Sequence, residues 1–431
     1  MKAFLQKLPL YFASTVLVLA LLSLFGWGVK KITQGKSVLP SSVNDGVNAF
    51  VSWPDLMQKM EKQMSEVPKT FVPTPDGFEG VNKLEEPLKI LTSYHNAEDG
   101  RTIALIDLKS GRELKTWTVK KVGNIHDRIC HPVMLADSSI IYGLEWNSGL
   151  IRIDKDSKVV WRQPAFFNHH GKNLAADSTL WTCSYYKQPG TNMPHRGTFK
   201  VGDKKYSILD NSITQLDVET GEILFKKSML DMMVENGMAH LLIKSDVAKD
   251  PIHLNDVQPA LKDGPYFNKG DLFLSARNGS WVVQYRPSLD SVIRVIEGPF
   301  YAQHDVDVES DSTLLVFNNN THRREIFRKG IGELSKEELT EVPPFKSEVV
   351  RYYLGSDRFE RVEQDLMVEN DVYSMTEGLV ERLPDGGVFV EEQNSSILWV
   401  FESGQVKYKG VLPSHYEGYH HLANWARPMN N

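Results

Sequence analysis

Residues 104–117 read ALIDLKSGRELKTW, an apolar run ending in Asp107, a Lys-Ser-Gly turn, and a second run ending in Trp117. The same unit returns at residues 150–161, LIRIDKDSKVVW, and at residues 213–225, ITQLDVETGEILF. Short apolar runs joined by Gly, Asp and Ser turns are typical of antiparallel β-hairpins. The sequence therefore predicts one hairpin that is repeated along the chain.

Weaker copies of this hairpin follow at residues 282–290, 349–357 and 398–404. A second unit, an Asp-containing turn before an apolar strand, stands upstream of most copies and begins at Asp137, Asp177, Gly270, Asp311 and Asp385. About four strands recurring every roughly 50 to 70 residues is the sequence pattern of propeller blades. The six copies predict an all-β fold, a six-bladed β-propeller over residues 88–431. A pair of β-sandwiches is the alternative, but it does not explain the phased repetition.

The length and charge of the chain limit the classes of function and the number of domains that we expect. The chain has 431 residues and a formal net charge of −6, and its Lys and Arg residues are scattered. A nucleic-acid-binding surface is therefore not expected, because such surfaces concentrate positive charge. One large domain with an N-terminal appendage is the simplest organisation at this length.

An uncharged apolar run extends from Leu8 to Val29. A helix of roughly 20 such residues spans the hydrocarbon core of a bilayer. A cleaved signal peptide is the alternative, but its apolar part is usually about 7 to 15 residues, and no small-residue cleavage site follows the run. We predict that residues 1–33 form an uncleaved transmembrane anchor in the inner membrane, with the large domain in the periplasm.

Residues 34–87 are polar and punctuated by prolines, which predicts a linker. Within it, Leu56, Met57, Met60 and Met64 recur at helical spacing and predict a short amphipathic helix over residues 53–67. That helix is expected to pack on the domain wall, and binding a partner protein is the alternative.

The two cysteines of the chain are Cys130 and Cys183. In an oxidising periplasm they could pair, and the alternative is two separate buried thiols. Their spacing matches neither a zinc site nor a C-x-x-C redox motif, so no metal is assigned to them. An oxygen-ligand calcium loop around Asp305 and Asp307 is not recognised either.

Polar side chains stand at the ends of predicted strands between residues 250 and 320. They are His253, Asn255, Arg277, Gln303, His304, Asn318 and Asn319. The ends of strands in a rigid sheet are where side chains are presented to ligands. Two histidines, an arginine and several amides together predict an anion-binding site.

The phase of the repeat brings further histidines into this prediction. His170, His253 and His304 each precede the Asp-containing turn of their own unit. Equivalent positions on a closed ring converge on one axis, so these residues are expected to meet in one pocket. His169 takes the place of His170 if the register slips by one. Structural roles are predicted for His126, His131, His322 and His415. A position at the rim of the channel is the alternative for His420 and His421, but no partner residue favours it over a structural role.

The order His-x-Asn, Ser-x-Arg, Gln-His and Leu-Leu-Val-Phe-Asn-Asn resembles the bacterial arylsulfate sulfotransferases, which are built on a β-propeller. The resemblance covers most of the chain after about residue 85. It implies a ping-pong transfer of a sulfuryl group from an aryl sulfate donor to a phenolic acceptor, without a nucleotide or other cofactor and without a metal. It further implies that His304 is the transiently sulfated nucleophile, that His253, Arg277 and His170 complete the catalytic set, and that Asn255, His169 and Asn319 bind substrate.

These residue types fit that chemistry. Sulfuryl transfer is close to phosphoryl transfer, in which positioning and electrostatic stabilisation carry most of the catalysis. Arg277 and neighbouring donors would hold the charged oxygens, and a neutral imidazole would attack sulfur. The chain departs from the better-known members in Asp305-Val306 after the key histidine, in a reduced N-terminal β-domain and in the retained anchor.

Other functions remain open at the level of the sequence. The main alternative is a non-catalytic, membrane-anchored propeller that binds a sulfated or phenolic ligand or a protein partner. A quinone-dependent dehydrogenase is a weaker alternative, because its tryptophan-docking repeats are not evident. The charged residues 323–341 are predicted to be a solvated insertion, or a lid over the site.

Overall fold

The computed structural model describes residues 2–33, 67–96, 100–119, 128–144, 148–188, 193–245, 247–321 and 346–429. These fall into two compact units, Met1–Pro68 and Lys69–Asn431. The predicted helix over residues 53–67, apart from its last residue, lies outside the described residues. So do the predicted insertion at residues 323–341, His126 and His322.

The first unit contains one long helix, α1 (Lys2–Thr33). Its segment Ala13–Lys31 is long and apolar enough to cross a membrane. The side chains from Ala13 to Trp27 are exposed. An exposed apolar helix at this position fits a membrane anchor or a signal sequence by length and composition.

The second unit is predominantly β-structure and begins with five strands. They are β1 (Phe71–Pro73), β2 (Val81–Asn82), β3 (Lys89–His95), β4 (Arg101–Asp107) and β5 (Arg112–Val119). Strands β1 and β2 lie within the range predicted as linker. They pair with two strands near the end of the chain. Val72 of β1 pairs with His420, and Asn82 of β2 pairs with Tyr408.

A seven-stranded antiparallel sheet follows. Its strands are β6 (Ile129–Met134), β7 (Ile140–Leu144), β8 (Ser148–Ile153), β9 (Val159–Leu174), β10 (Thr179–Tyr185), β13 (Asn211–Asp217) and β14 (Ile223–Ser228). Between β10 and β13 the chain forms a separate hairpin of β11 (Arg196–Val201) and β12 (Lys204–Leu209). Strand β9 is long enough to serve twice, because its first half pairs with β8 and its second half with β10. The sheet therefore contains two four-stranded groups that share β9.

Three further sheets complete most of the unit. The first is formed by β15 (Leu254–Pro259), β16 (Leu272–Ala276), β17 (Trp281–Arg286) and β18 (Ser291–Ile296). The second is formed by β19 (His304–Val308), β20 (Thr313–Asn318), β21 (Glu348–Tyr353) and β22 (Arg358–Val362). The third contains β23 (Leu379–Arg382), β24 (Val388–Glu392), β25 (Ile397–Glu402) and β26 (Gln405–Gly410). The chain ends with β27 (Leu412–Pro413), β28 (Tyr419–His421) and β29 (Arg427–Pro428).

Short helices fill the connections. They are α2 (Met229–Glu235) and α3 (Ala239–Lys244) between β14 and β15, a 3-10 turn (Pro287–Leu289), and α4 (Gln364–Glu369) between β22 and β23. Helix α2 begins where the Ser228 side chain accepts a hydrogen bond from the Asp231 amide, a standard N-cap. It then buries Met229, Leu230 and Met233 against the sheets.

The all-β prediction is confirmed, and the six predicted hairpins are all present. They are the antiparallel pairs β4–β5, β8–β9, β13–β14, β17–β18, β21–β22 and β25–β26. Each is the outer pair of a four-stranded group. The first group is completed by β29, where Arg427 pairs with Leu91 of β3.

The leading strand of each group is the strand at the edge opposite its hairpin, namely β29, β6, β9, β15, β19 and β23. The leading strands contact one another in order. Strand β6 contacts β9, β9 contacts β15, β15 contacts β19, β19 contacts β23, and β23 contacts β29. Strand β3, the partner of β29, contacts β6. The apolar cores lie between neighbouring groups, and the side chains of Trp117, Trp281 and Trp399 are at most 1% exposed. Burying each such side chain contributes roughly 1.5 to 3 kcal/mol, so these layers hold adjacent groups together.

Candidate functional site

Four of the leading strands carry a β-bulge beside a histidine. The pairing register shifts at residues 130–133 of β6, 168–172 of β9, 254–256 of β15 and 304–306 of β19. Left-handed φ angles occur there at His131 (46°), His170 (45°), His253 (49°) and Asp305 (55°). Bulges bend a strand and change the direction of its side chains, and they are common next to active sites. Each bulge lies next to or includes a histidine, which stands at or beside the irregular part of its strand.

The structure brings together the four histidines predicted for the site. The ring centroids of His169 and His170 are 4.0 Å apart, and those of His169 and His253 are 4.8 Å apart. His170 lies 5.5 Å from His253 and 5.5 Å from His304. Residues from three four-stranded groups therefore form one histidine cluster, as the phase of the repeat predicts.

His131 belongs to the same neighbourhood, although the sequence analysis gives it a structural role. Its ring lies 4.5 Å from that of Trp425, which is itself 5.5 Å from His170. Both nitrogens of His131 are buried without a hydrogen-bond partner among the described residues. The signal that finds it is the repeat, because His131 precedes the turn at Asp137 as His170 precedes the turn at Asp177.

The tautomer of His304 is set by Asn319. The Asn319 side-chain nitrogen donates to the carbonyl oxygens of Ser374 (2.7 Å) and Glu377 (3.1 Å). Its Oδ1 must therefore accept, and it lies 2.6 Å from His304 Nδ1. His304 consequently carries its proton on Nδ1 and a lone pair on Nε2. That Nε2 is buried without a hydrogen-bond partner among the described residues.

The Gln-His motif is locked into the sheet. Gln303 Nε2 donates to the carbonyl oxygens of Ala276 (3.1 Å) and Trp281 (3.0 Å). Asn255 Nδ2 donates to the Gln303 carbonyl oxygen at 2.7 Å. Asn255, predicted to bind substrate, therefore uses one amide hydrogen to hold the backbone before His304, and its Oδ1 is buried without a partner among the described residues.

His253 is oriented by a carboxylate. Its Nδ1 lies 2.6 Å from Asp250 Oδ2, and Asp250 Oδ1 accepts from Asn211 Nδ2 at 2.9 Å. Burial raises the pKa of Asp250, but the hydrogen bonds from His253 and Asn211 outweigh it, so the pKa lies below its ordinary value. An ionised Asp250 holds the proton of His253 on Nδ1 and leaves Nε2 for the site.

Arg277 follows β16 and borders the cluster. Its backbone nitrogen donates to the His253 carbonyl oxygen at 3.2 Å. Its guanidinium donates to Asn278 Oδ1 at 3.1 Å. A structural ion pair with Asp256 or Glu297 is the alternative role for Arg277, and Glu297 is already bound by Lys244 Nζ at 2.7 Å. Arg277 and His253 are partly exposed whereas His169, His170 and His304 are buried, so solvent reaches the cluster from the side of Arg277.

The buried imidazoles are neutral. Burial, and then the positive charge of Arg277, lower the pKa of His304 well below its ordinary value. Burial and the neighbouring histidines do the same to the pKa values of His169 and His170. A cluster of uncharged imidazoles beside one permanent cation can offer both lone pairs and an oxyanion contact.

Other residues near the site are structural. Cys130 and Cys183 form no disulfide and are buried in separate apolar clusters, so they are two separate thiols. Lys172 is fully buried, and its Nζ donates to the carbonyl oxygens of Cys130 and His170 at 3.0 Å each. It ties β6 to β9, and nothing in its sequence context distinguishes it from the lysines on the surface.

His415, His420 and His421 lie apart from the cluster. His420 Nε2 is 2.7 Å from the Ser395 carbonyl oxygen, and His421 packs 5.1 Å from the ring of Phe71. The ring of His415 packs edge-on against Phe71 at 5.3 Å and lies 6.3 Å from the ring of His421. These three surround β1 and are consistent with the structural roles predicted for them.

Comparisons with known proteins complete this description. The solved structures that resemble the chain include a protein of unknown function from Bacteroides caccae, with a TM-score of 0.47 and 12% identity over 75% of this chain and 93% of that chain. A hydrazine synthase from Kuenenia stuttgartiensis has a TM-score of 0.41 and 10% identity over 76% of this chain and 79% of its own. A virginiamycin B lyase from Staphylococcus aureus has a TM-score of 0.39 and 8% identity over 77% and 87%. These similarities carry no functional argument.

No curated protein matches the chain. The family model of the arylsulfotransferases (ASST) does match it, over residues 131–407. This range includes the histidine cluster, Arg277, Asn255 and Asn319, and it covers well over half of the chain. The protein is therefore a member of the arylsulfotransferase family.

Proposed function

We propose that this protein is an arylsulfate sulfotransferase that transfers a sulfuryl group from an aryl sulfate to a phenol through a sulfated His304. The observation that carries the proposal is the hydrogen bond between His304 Nδ1 and Asn319 Oδ1. It leaves an unprotonated Nε2 in a buried site beside a cationic Arg277. An activated nucleophile and an oxyanion contact are the two elements that sulfuryl transfer needs.

In the first half-reaction, the lone pair of His304 Nε2 forms a bond to sulfur. The bond between sulfur and the aryl oxygen breaks, and its electron pair goes to the leaving phenolate. His253, in its protonated form, gives the Nε2 proton to that phenolate while Asp250 stabilises the charge on its ring. Arg277 and His170 contact the sulfuryl oxygens, whose charge is greatest in the transition state.

In the second half-reaction, an acceptor phenol gives its proton to His253 Nε2. The phenol oxygen then bonds to sulfur, the nitrogen–sulfur bond breaks, and its electron pair returns to His304 Nε2. His304 keeps its Nδ1 proton throughout, because that proton is hydrogen-bonded to Asn319 Oδ1, and the same tautomer is restored. Asn255 acts here as a positioning residue, because it holds the Gln303 carbonyl that precedes the nucleophile.

The proposed architecture is a closed six-bladed β-propeller over residues 88–431. It is supported by the six four-stranded groups, the serial contacts of their leading strands and the pairing of β29 with β3. The proposed setting is the inner membrane, with residues 1–33 as anchor, residues 34–87 as linker and the catalytic domain in the periplasm. The exposed apolar surface of α1 supports the anchor.

The test is incubation of the purified full-length protein with p-nitrophenyl sulfate, with and without a phenol. We expect nitrophenol release that depends on the phenol. Donor alone should leave a sulfuryl group on the peptide that contains His304, detected by mass spectrometry under alkaline conditions that preserve the nitrogen–sulfur bond. Binding of the ester without turnover would instead support the non-catalytic alternative, and an adduct on another residue would overturn the mechanism.

A further inference from the structure

Three members of the histidine cluster are arranged as a set of ligands. His169, His170 and His253 each offer one ring nitrogen, and these nitrogens lie within 4.8 Å of one another. His169 and His170 are 1% and 3% exposed. The bulge in β9 makes this arrangement possible, because the left-handed φ of His170 brings two consecutive side chains to the same side of the strand.

The position and support of each ring fit a set of metal ligands. The Nδ1 of His253 is engaged by Asp250, so its neutral form presents the Nε2 lone pair to the cluster. The rings of His169 and His170 lie with their centroids 4.0 Å apart, and the ring of His169 is 4.8 Å from that of His253, so the three rings meet at one point. A carboxylate that accepts the outer proton of a histidine is the usual support of a histidine bound to zinc.

We propose that His169, His170 and His253 bind one divalent transition-metal ion, of which Zn²⁺ fits best, with a fourth position left open. Three protein ligands and one open position are the coordination typical of zinc sites that exchange a water or substrate oxygen. Bonds of about 2.0 to 2.1 Å in tetrahedral geometry require the nitrogens to approach one another by at most about 1.5 Å. Neutral imidazole is a preferred ligand of this class of metal.

A second observation points to a ligand in the same place. His304, whose ring lies 5.5 Å from that of His170, has a buried Nε2 without a hydrogen-bond partner among the described residues. His170 Nδ1 is in the same condition. Buried polar atoms are normally satisfied, so several of them around one point indicate that the site holds a bound species.

The metal site shares His170 and His253 with the proposed sulfuryl transfer and therefore competes with it, although metal binding does not require that the protein be an enzyme. Transfer uses His170 and His253 as hydrogen-bond donors, whereas metal binding uses their lone pairs. The two occupancies therefore exclude each other. An active enzyme would be inhibited by Zn²⁺ in competition with the aryl sulfate, and removing the ion would restore activity.

Metal binding is tested without any sulfate ester, so its outcome does not depend on the enzymatic activity. The full-length protein, purified in detergent without a histidine tag and treated with a chelator, is titrated with Zn²⁺ by calorimetry and with Co²⁺ by visible absorption. We expect one ion per chain, the intense visible bands of four-coordinate cobalt, and loss of those bands when Zn²⁺ is added.

Variants locate the site. His253→Ala and His169→Ala should abolish binding, whereas His240→Ala, at an exposed histidine, should leave it unchanged. Asp250→Asn should weaken the affinity by about 10- to 100-fold, the usual effect of removing a carboxylate behind a histidine ligand. Circular dichroism verifies the fold of each variant, and Asp250→Asn decides the matter if a histidine variant fails to fold. The absence of saturable binding, or binding of equal affinity in His253→Ala or in Asp250→Asn, would overturn the proposal.

Discussion

At the scale of single residues, the proposed chemistry depends on which nitrogen of each histidine carries the proton. Two carbonyl acceptors fix the orientation of the Asn319 amide, and the amide fixes His304. At His253, the ionised carboxylate of Asp250 fixes the proton on Nδ1 in the same way. Neither control is apparent in the sequence around the histidine, since Asn319 is 15 positions from His304 and its own acceptors are more than 50 positions further on.

The first prediction concerns this control of the tautomer. His304→Ala should abolish both donor turnover and the covalent adduct. Asn319→Leu should lower kcat by about 10²-fold, because the nucleophile loses its orientation and its fixed proton. Stopped assays with p-nitrophenyl sulfate measure both effects. Asn320→Gly is the matched control, since glycine accepts the left-handed φ of 53° at that position, and an equal loss in this variant would contradict the role of Asn319.

The second prediction concerns Arg277. Arg277→Gln should reduce kcat/KM by about 10²- to 10³-fold, the usual cost of removing one contact to a developing oxyanion. Arg277→Lys should recover only part of the loss, because an ammonium lacks the planar pair of donors. Steady-state kinetics across donor concentrations tests this. Unchanged kinetics in Arg277→Gln would remove the residue from the site.

At the scale of secondary-structure elements, carboxylates join neighbouring leading strands. Asp256 accepts from the Val306 amide (3.1 Å), and Asp305 accepts from the Val380 amide (2.8 Å). Glu391 of β24 accepts from the Ala426 amide at 2.8 Å. These bonds satisfy backbone donors that the bulges and strand ends remove from the ladders. The Asp305-Val306 pair that departs from the better-known family members is part of this set.

Burial makes one of these carboxylates sensitive to pH. Burial and the nearby Glu377 raise the pKa of Glu391 to about 8, against the opposing effects of the Ala426 amide and Arg128. A carboxyl whose folded pKa lies above its unfolded value stabilises the fold at low pH. That contribution is lost as the pH rises from about 4.5 through about 8.

The third prediction follows from this sign. Glu391→Gln keeps an acceptor for Ala426 and removes the charge, so its Tm should exceed that of the parent protein above pH 8 by about 2 °C or more. The difference should shrink or reverse at pH 5. Thermal unfolding across this pH range measures it, with Glu417→Gln as the exposed control. Parallel Tm profiles for Glu391→Gln and its parent would contradict the assigned protonation.

The secondary-structure elements also differ in how well the sequence predicts them. The six hairpins are predictable because turn residues and the alternation of apolar side chains are local signals. The repeat then places His170, His253 and His304 in phase. The bulges are not predictable in this way, because they depend on pairing with the next strand. The place of His131 in the repeat can be read from the sequence, but the bulges that bring His131, His169 and His170 into one cluster have no local sequence signal.

At the scale of the whole molecule, the C-terminal strand holds the first group to the rest. Arg427 donates to the Lys172 carbonyl oxygen (3.1 Å) and to Asn173 Oδ1 (2.7 Å), both on β9. Its guanidinium also lies 3.5 Å from Glu381. One side chain thus links β29 with β9 and β23, across a region that contains several buried carboxyl groups.

The fourth prediction is that Arg427→Ala lowers the free energy of unfolding by about 1.5 to 3 kcal/mol, the usual worth of hydrogen bonds made by a charged group. Urea unfolding followed by fluorescence measures it. Arg358→Ala is the control, because its exposed ion pair with Glu360 is worth at most about 1 kcal/mol. A loss of equal size in the two variants would show that Arg427 makes no special contribution.

The fifth prediction concerns the location of the molecule. Alkaline phosphatase fused after Asn431 should be active in cells, and green fluorescent protein at the same position should be dark, because the large domain is exported. Deleting residues 2–33 should reverse both readouts and release the protein from the membrane fraction. A fluorescent fusion of the full chain would overturn the proposed orientation.

The union of the two ends of the second unit also constrains how the chain acquires its structure. The Asn424 amide bonds Thr92 across 332 positions of sequence. Contacts of such long range close late, because the entropy of a large loop is lost before any contact compensates for it. Until the residues of β29 are available for pairing, β3 lacks that partner and remains an open edge on which another chain can aggregate. Folding of the second unit is therefore expected to finish only after its C-terminal strand has been made, with a final step whose rate does not depend on protein concentration.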